Sequence, residues 1–164
     1  MKMKKKRNLI LINKKTLCAV IGLAVLVGLG LGFWRIQQAL PAKFEADFYG
    51  KTEAIDIGKD EYEKMLNERK SFAVLVDSPT CVRSKKIEKM MGEMPKKYQF
   101  KYYRMMWSEV KESSLFNYVK FLPSLAIIKN GNVKSWLRAD KDEDKAYYES
   151  KPDLQDWLIK NIEF

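Results

Sequence analysis

The sequence predicts an α/β domain, with a mixed sheet flanked by helices, preceded by one apolar helix. Three observations lead to this prediction. Segments with the periodicity of strands and helices alternate from residue 52 onward. The apolar run SFAVLVD at 71–77 has the length and composition of a central strand that is buried on both faces. An uncharged stretch of 18 residues lies ahead of both, at 17–34.

The elements of the domain follow one another in the order β-α-β-α-β-α-β-β-α. Their patterns lie at 52–58 (strand), 59–69 (helix), 71–77 (strand), around 87–94 (helix), 98–107 (strand), 109–121 (helix), 123–138 (hairpin) and 152–162 (helix). Pro95 is expected to end the helix before it, because proline has no N–H to donate. Asn130-Gly131 is a preferred dipeptide for two-residue turns, so it is expected to join the two strands of the hairpin.

Apolar side chains recur at helical spacing in three of these helices, which predicts that one face of each helix packs on the sheet. They are Tyr62, Met65 and Leu66; Ile87, Met90, Met91 and Met94; and Leu154, Trp157, Leu158 and Ile162. Methionine also lines adaptable surfaces, but its helical spacing here favours core packing. Pro152 fits the first turn of the closing helix.

The net charge of +10 is concentrated at the N-terminal end of the sequence. Eight of the 31 basic residues, and none of the 21 acidic residues, lie in the first 35 positions. The other 23 basic residues nearly balance the 21 acidic ones, so the domain lacks the basic excess that nucleic-acid binding requires. We therefore expect a basic tail at 1–16 and no nucleic-acid partner.

The absence of histidine removes the most common general base and the most common metal ligand. Two cysteines far apart in the sequence cannot complete a zinc site. Asp140, Asp142 and Asp144 follow the start of a calcium-loop pattern, but Lys145 and Lys151 stand where that loop needs glycine and glutamate. We therefore expect neither a metal nor another cofactor, and a solvated charged loop at these aspartates.

The uncharged stretch predicts a transmembrane anchor at 17–35. A helix of 18 residues is about 27 Å long, close to the thickness of the hydrocarbon core of a bilayer. The basic residues ahead of it predict a cytoplasmic N-terminus, followed outside the cytoplasm by a linker at 36–51 and a domain at 52–164. The alternative is a cleaved signal peptide, which the long apolar run and the poor cleavage site LPA at 40–42 disfavour.

Two features of the apolar stretch have further interpretations. Cys18 could be a site of lipid attachment, but Lys15 precedes it and the apolar run follows it, so a small apolar residue within the span is favoured. Ala24, Gly28 and Gly32 recur every four residues and would line one face of a helix. Small residues at this spacing allow helices to pack closely in a membrane, which predicts a possible homodimer through this face.

The stretch SPTCVRS at 78–84 places Cys81 at the turn between the buried strand and the next helix. Unpaired backbone N–H groups and the positive end of the helix dipole meet at such a position and favour a thiolate over a thiol. Arg83 adds a nearby cation, and Ser84 can donate a hydrogen bond to the sulfur. Cys81 is therefore a candidate nucleophile; the alternative is an inert small side chain at a helix start.

This motif, the proline that opens the hairpin in FLPSLAIIKNG (121–131) and the closing amphipathic helix together resemble the thioredoxin superfamily over residues 52–163. The resemblance implies a thioredoxin-like sheet in which Pro123 is cis and packs beside Cys81. An ordinary trans proline before an edge strand is the alternative. The motif SPTC at 78–81 is similar to that of thioredoxin-like accessory proteins of bacteriocin transport and maturation. This resemblance implies a bacterial cell membrane and an exported, cysteine-containing peptide as partner.

The resemblance also implies roles for individual residues. Cys81, Ser84 and Pro123 would form the catalytic site, with partner contacts from the residues beside them, Thr80, Val82, Arg83 and Leu122. Leu75 stands where thioredoxins carry a buried acidic residue. The nearest acid is Asp77, which is expected at the surface and whose negative charge would oppose formation of the thiolate.

Ser84 also stands where a redox pair has its second cysteine, and a hydroxyl cannot resolve a mixed disulfide. Three outcomes remain: exchange or isomerisation with an external thiol, transient holding of a partner, or loss of the redox function. The first gives a membrane-anchored thiol–disulfide exchange protein outside the cytoplasm. The competing hypothesis is a redox-inactive binding module that docks a membrane or secreted partner.

Overall fold

The fold is that of a computed structural model, which describes residues 14–50 and 53–164. The predicted basic tail at 1–16 lies almost entirely outside the described residues. The chain divides into two compact units, one that ends at Ala39 and one that runs from Leu40 to Phe164.

The first unit contains a single described helix, α1, over Lys14–Ala39, which includes the predicted span at 17–35. The large apolar side chains from Val20 to Phe33, and that of Ile36, are exposed. Within the described part of the chain, α1 is the one helix whose length and apolar composition suffice to cross a bilayer, over Val20–Gln37. Gly28 and Gly32 have open space beside them, so the predicted packing face is uncovered and the homodimer stays a prediction.

Five strands among the described residues form the sheet of the second unit, in the order β1-β3-β2-β4-β5. They are β1 (Ala54–Ile57), β2 (Phe72–Asp77), β3 (Tyr102–Met106), β4 (Ser124–Lys129) and β5 (Asn132–Trp136). β3 is parallel to β1 and β2, whereas β4 is antiparallel to β2 and β5, so the sheet is mixed as predicted. β2 lies at its centre with residues 72–76 buried, which confirms the prediction from the apolar run.

Helices flank the sheet and bury the apolar faces that the sequence predicts. They are α2 (Lys59–Asn67), α3 (Val82–Tyr98), α4 (Trp107–Lys111), α5 (Lys145–Glu149) and α6 (Lys151–Asn161), with 3-10 turns at Ala46–Phe48, Ser114–Asn117 and Asp142–Asp144. All of the predicted apolar positions are buried except Leu66, which is half-buried. The three methionines of the α3 face are core residues, which confirms core packing over an adaptable surface.

Helix α3 runs past Pro95 to Tyr98, so the prediction that Pro95 ends this helix is wrong. Proline removes one backbone donor, but at this position only the last turn of the helix follows it. The helix ends instead before Gln99, whose φ of 50° is the left-handed conformation typical of the residue after a helix. The N–H of Gly50 donates to the carbonyl of Gln99 at 2.7 Å and supports this stop. The third strand therefore begins at Tyr102 and not at residue 98.

The predicted helix at 109–121 is interrupted. The hydroxyl of Ser113 donates back to a carbonyl of its own turn at 2.9 Å. The N–H and the hydroxyl of Ser114 both donate to the carboxylate of Glu63, at 2.6 and 3.1 Å. Serine side chains compete in this way with backbone helix bonds, so a short helix and a 3-10 turn replace one long helix. Trp107, which was predicted at the end of a strand, opens α4.

Much of the predicted linker at 36–51 packs into the second unit. Phe44 and Phe48 are core residues, and burial of two aromatic rings is more favourable than leaving them in a solvated linker. Ala42 is also buried, and its N–H donates to the carbonyl of Asn161 at 2.7 Å. The folded unit therefore begins well before residue 52.

The hairpin turn is fixed by backbone conformation and by packing. Asn130 and Gly131 have φ of 52° and 74°, as the predicted two-residue turn requires. A Cβ added at Gly131 would lie 2.3 Å from the carbonyl oxygen of Leu66. Glycine is therefore required here both by the left-handed backbone and by the close approach of α2.

Candidate functional site

The candidate site lies where β2 ends and β4 begins. These strands are antiparallel neighbours, with Val76 opposite Ser124. The chain that leaves β2 leads to Cys81, and Pro123 directly precedes β4, so both residues emerge at the same edge of the sheet. The peptide bond between Leu122 and Pro123 is cis, as the resemblance implies, and Pro123 is buried.

Backbone hydrogen bonds fix the turn that carries the cysteine. The N–H of Cys81 donates to the carbonyl of Ser78 at 3.0 Å, and the N–H of Ser84 donates to the carbonyl of Cys81 at 3.1 Å. The hydroxyls of Ser78 and Thr80 share a hydrogen bond of 3.0 Å. Helix α3 begins at Val82, so Cys81 stands at its N-terminal end.

Cys81 is a free, half-buried cysteine, and the pKa of its thiol is lower than usual. Burial by itself raises this pKa, because a thiolate loses solvation. The hydroxyl of Ser84, the backbone N–H groups of Ser84 and Arg83 and the charge of Arg83 lower the pKa by more than burial raises it. The thiolate is the nucleophilic form, so this surrounding favours a reactive sulfur over an inert one.

The Ser84 side chain is 2 % exposed, and its hydroxyl has no hydrogen-bond partner among the residues described. Buried hydroxyls are nearly always hydrogen-bonded, because an unmade bond leaves the cost of desolvation uncompensated. A thiolate at Cys81 would accept this hydrogen bond, whereas a neutral thiol is a weak acceptor. Ser84 is therefore placed to stabilise the charged form of Cys81.

The predicted partner-contact residues differ in exposure. Val82 is 83 % exposed, Thr80 and Arg83 are also exposed, and Leu122 is half-buried. Arg83 acts directly on the pKa of Cys81. Leu122 reaches the same edge of the sheet through the pairing of β2 with β4.

Two further apolar side chains lie at this edge and were missed by sequence reasoning. Met106 is 43 % exposed and pairs with Asp77 at the end of β3, and Phe121 is 55 % exposed two residues before Pro123. The signal for both was positional: one ends a strand parallel to β2, and the other precedes the proline. Together with Val82 they form an exposed apolar rim at this end of the sheet.

Asp77, which was expected at the surface, is half-buried. It lines an open cavity of about 680 Å³ together with Ser84, Glu88, Arg104 and Asp56. Burial raises the pKa of Asp77, the charge of Glu88 raises it further, Arg104 lowers it and Asp56 raises it.

Within residues 14–50 and 53–164, no group of three or more His, Cys, Asp or Glu side chains is placed to hold a metal ion. The aspartates that resemble a calcium loop lie partly in the 3-10 turn at Asp142–Asp144. The carboxylate of Asp144 accepts from the N–H of Arg138 at 2.7 Å, and Glu143 forms an ion pair with the same arginine at 2.8 Å. Of the three aspartates, Asp144 therefore pairs within the chain, as does the neighbouring Glu143.

No protein-family model and no curated protein matches this sequence. Several solved structures do match in fold. The chain is similar to the thioredoxin NaTrxh from Nicotiana alata, at 17 % identity over 69 % of this chain and 96 % of that one, with a TM-score of 0.54. It is also similar to a reduced Schistosoma mansoni thioredoxin pre-protein, at 20 % identity over 67 % and 99 %, with a TM-score of 0.51. The second unit therefore has the thioredoxin fold.

Proposed function

We propose that this protein is a membrane-anchored thiol–disulfide exchange protein that acts outside the cytoplasm through the single sulfur of Cys81. The observation that carries the proposal is the buried hydroxyl of Ser84. It has no partner among the described residues while Cys81 is a neutral thiol, and it lowers the pKa of that thiol by donating to the thiolate. A neutral thiol is a weak acceptor for this donor, whereas a thiolate accepts its hydrogen bond. The thioredoxin fold of the second unit supports the same chemistry.

The first step is attack by the Cys81 thiolate on a disulfide of the partner. The electron pair of the thiolate forms the new S–S bond while the partner's S–S bond breaks. One partner sulfur leaves as a thiolate and takes a proton from water. Ser84 stabilises the thiolate before attack, and the backbone at Leu122 and Pro123 aligns the partner peptide. The product is a mixed disulfide, and the number of S–S bonds is unchanged.

Release of the partner requires a thiol from outside the folded unit, because the hydroxyl of Ser84 cannot attack a disulfide. The only other cysteine, Cys18, belongs to α1. If a second cysteine of the partner attacks the partner sulfur that is bonded to Cys81, the partner leaves with rearranged disulfides. If an external thiol attacks that sulfur, it stays bonded to the partner. In both cases Cys81 returns as a thiolate.

The proposed location rests on α1. Its exposed apolar side chains and its length fit an uncleaved, single-pass anchor, and the basic residues ahead of it fit a cytoplasmic N-terminus. The proposed partner is an exported, cysteine-containing peptide of the bacteriocin type, which the resemblance of SPTC supports. Packing of two copies through Ala24, Gly28 and Gly32 is part of the same proposal.

A redox-inactive binding module is the second candidate. It is favoured by the exposed apolar rim formed by Val82, Met106 and Phe121, which could hold a partner without covalent chemistry. The two candidates differ in whether activity needs the sulfur of Cys81.

Trapping of mixed disulfides tests the proposal. Cells that contain the full chain are alkylated directly, and their proteins are separated on non-reducing gels. We expect adducts above the monomer mass that vanish on reduction and in Cys81→Ala, but persist in the matched control Cys18→Ala. If the adduct bands persist in Cys81→Ala and this variant keeps its biological activity, exchange through Cys81 is overturned in favour of the binding module.

A further inference from the structure

Tyr148 makes a buried contact that the proposed mechanism does not use. It lies on α5, and its side chain is 7 % exposed. Its hydroxyl donates to the carbonyl oxygen of Pro123 at 2.9 Å. Proline has no N–H, so the carbonyl is the only backbone group through which Pro123 can be held. Tyr148 therefore hydrogen-bonds the only polar backbone group of Pro123.

The segment around Tyr148 also contacts the cysteine side of the site. A guanidinium N–H of Arg83, two residues after Cys81, donates to the carbonyl of Ala139 at 3.5 Å. Arg83 and Tyr148 together line a cavity of about 320 Å³. The segment from 139 to 148 thus lies between the first turn of α3 and the loop before β4.

The loop before β4 has a second attachment to the same region. The buried hydroxyl of Ser124 donates to the carbonyl of Leu137 at 2.7 Å, and the N–H of Leu137 donates to the carbonyl of Leu125 at 3.0 Å. These bonds hold the start of β4, whereas the bond from Tyr148 holds the residue before it. Removal of the Tyr148 hydroxyl would therefore release the loop at Pro123 and leave β4 in place.

We propose that Tyr148 is a positioning residue for exchange at Cys81, which fixes the backbone at Leu122 and Pro123 so that a peptide disulfide aligns beside the sulfur. This inference rests on the proposed function and adds a residue that sets its preference for peptide substrates. A peptide needs an aligned backbone, whereas a small reagent needs only access to the thiolate. Burial raises the pKa of Tyr148, which keeps its hydroxyl a donor throughout the pH range in which Cys81 titrates.

The test compares two reagents and two matched variants of the full chain in detergent. Y148F keeps the ring and removes the hydrogen bond, and Y62F makes the same change at a buried tyrosine whose hydroxyl has no partner among the described residues. Rate constants are measured with iodoacetamide and with a synthetic disulfide-bonded peptide. We expect Y148F to react about tenfold more slowly with the peptide, as loss of one aligning hydrogen bond implies. Its rate with iodoacetamide, and both rates of Y62F, should match the wild type.

The outcomes separate the inference from the proposed function. If the wild type exchanges with the peptide and Y148F does so equally fast, or loses both rates in parallel, Tyr148 is not a positioning residue. If the wild type reacts with neither reagent at neutral pH, the proposed function itself fails and the inference goes with it. If Y148F does not fold, by circular dichroism, Tyr148→Met removes the same hydroxyl with a more adaptable side chain. A slower peptide rate of Tyr148→Met with an unchanged iodoacetamide rate supports the inference, and equal rates overturn it.

Discussion

The two ends of the β2–β4 strand pair are built in opposite ways. At the hairpin end, the buried hydroxyl of Ser71 accepts from the N–H of Asn130 at 3.0 Å, and the N–H of Gly131 donates to the carbonyl of Lys70 at 2.9 Å. At the other end, the equally buried hydroxyl of Ser84 has no partner among the residues that the structure describes. At the hairpin end the serine hydroxyl is hydrogen-bonded, and at the other end the serine hydroxyl beside the Cys81 sulfur is an unused donor.

This difference separates the part of the sheet that stabilises the fold from the part that is available for chemistry. A hydrogen bond that is already made contributes to stability and offers nothing to a ligand. A buried donor without a partner costs stability, and a chain retains it where a charge or a ligand completes the bond. Changes at the hairpin end should therefore alter the free energy of unfolding, and changes at the thiol end should alter reactivity.

The largest expected effect is that of Gly131→Ala at the hairpin end. Its φ of 74° and the 2.3 Å approach of the Leu66 carbonyl oxygen to an added Cβ leave no room for alanine. We expect the free energy of unfolding, from urea denaturation, to fall by about 3 kcal/mol. The control Gly50→Ala has a similar φ of 76° but open space, and should lose about 1 kcal/mol. Equal losses in the two variants would show that the hairpin end is not closely packed.

A pair of serine variants tests the contrast directly. Ser71→Ala removes a made hydrogen bond and should lower the free energy of unfolding by about 1 kcal/mol. Ser84→Ala removes none, so its stability should equal or exceed that of the wild type. The pKa of the Cys81 thiol should rise in Ser84→Ala, because the thiolate loses a donor, and alkylation at neutral pH should slow. Denaturation curves and the pH dependence of alkylation give both quantities. A stability loss in Ser84→Ala as large as in Ser71→Ala would remove the contrast.

The smallest expected effect is that of Asp77→Asn. The pKa of Asp77 is raised in the folded state, chiefly by burial. Its favourable contribution to stability is therefore complete below the unfolded pKa of about 3.9 and is lost as the pH rises through the folded pKa. The amide should stabilise the protein at neutral pH, by less than about 1 kcal/mol because the carboxyl is only half-buried. Near pH 3 the difference should vanish. Lower stability of Asp77→Asn at neutral pH would contradict the sign of this shift.

Sequence patterns predicted the features whose causes are local. The apolar run of β2, the methionine face of α3 and the Asn130-Gly131 turn were found where predicted. The lowered pKa of the Cys81 thiol also has local causes, because the groups that lower it lie within three residues of the sulfur. Periodicity, turn preference and helix starts each depend on a few neighbouring residues, so they can be recognised in the sequence.

The features that were missed depend on residues far apart in the chain. The break after α4 involves a bond from Ser114 to Glu63, which lies 51 residues away. Burial of Ala42, Phe44 and Phe48 accompanies pairing of Ala42 with Ile162, near the C-terminal end of the chain. Tyr148 reaches Pro123 across 25 residues. Such residues become neighbours only after the sheet has formed, so no local sequence pattern predicts their contact.

The presence of one cysteine in the folded unit, Cys81, has a consequence for how the protein responds to its surroundings. A two-cysteine site closes on itself when conditions are oxidising and reopens when they are reducing, so it reports the ambient potential. A unit with a lone thiol has no internal disulfide and therefore no closed, oxidised form. The covalent state of Cys81 is determined by the partner disulfide or thiol with which it last exchanged. A change in the bulk redox potential therefore acts on Cys81 through the thiols and disulfides of its partners.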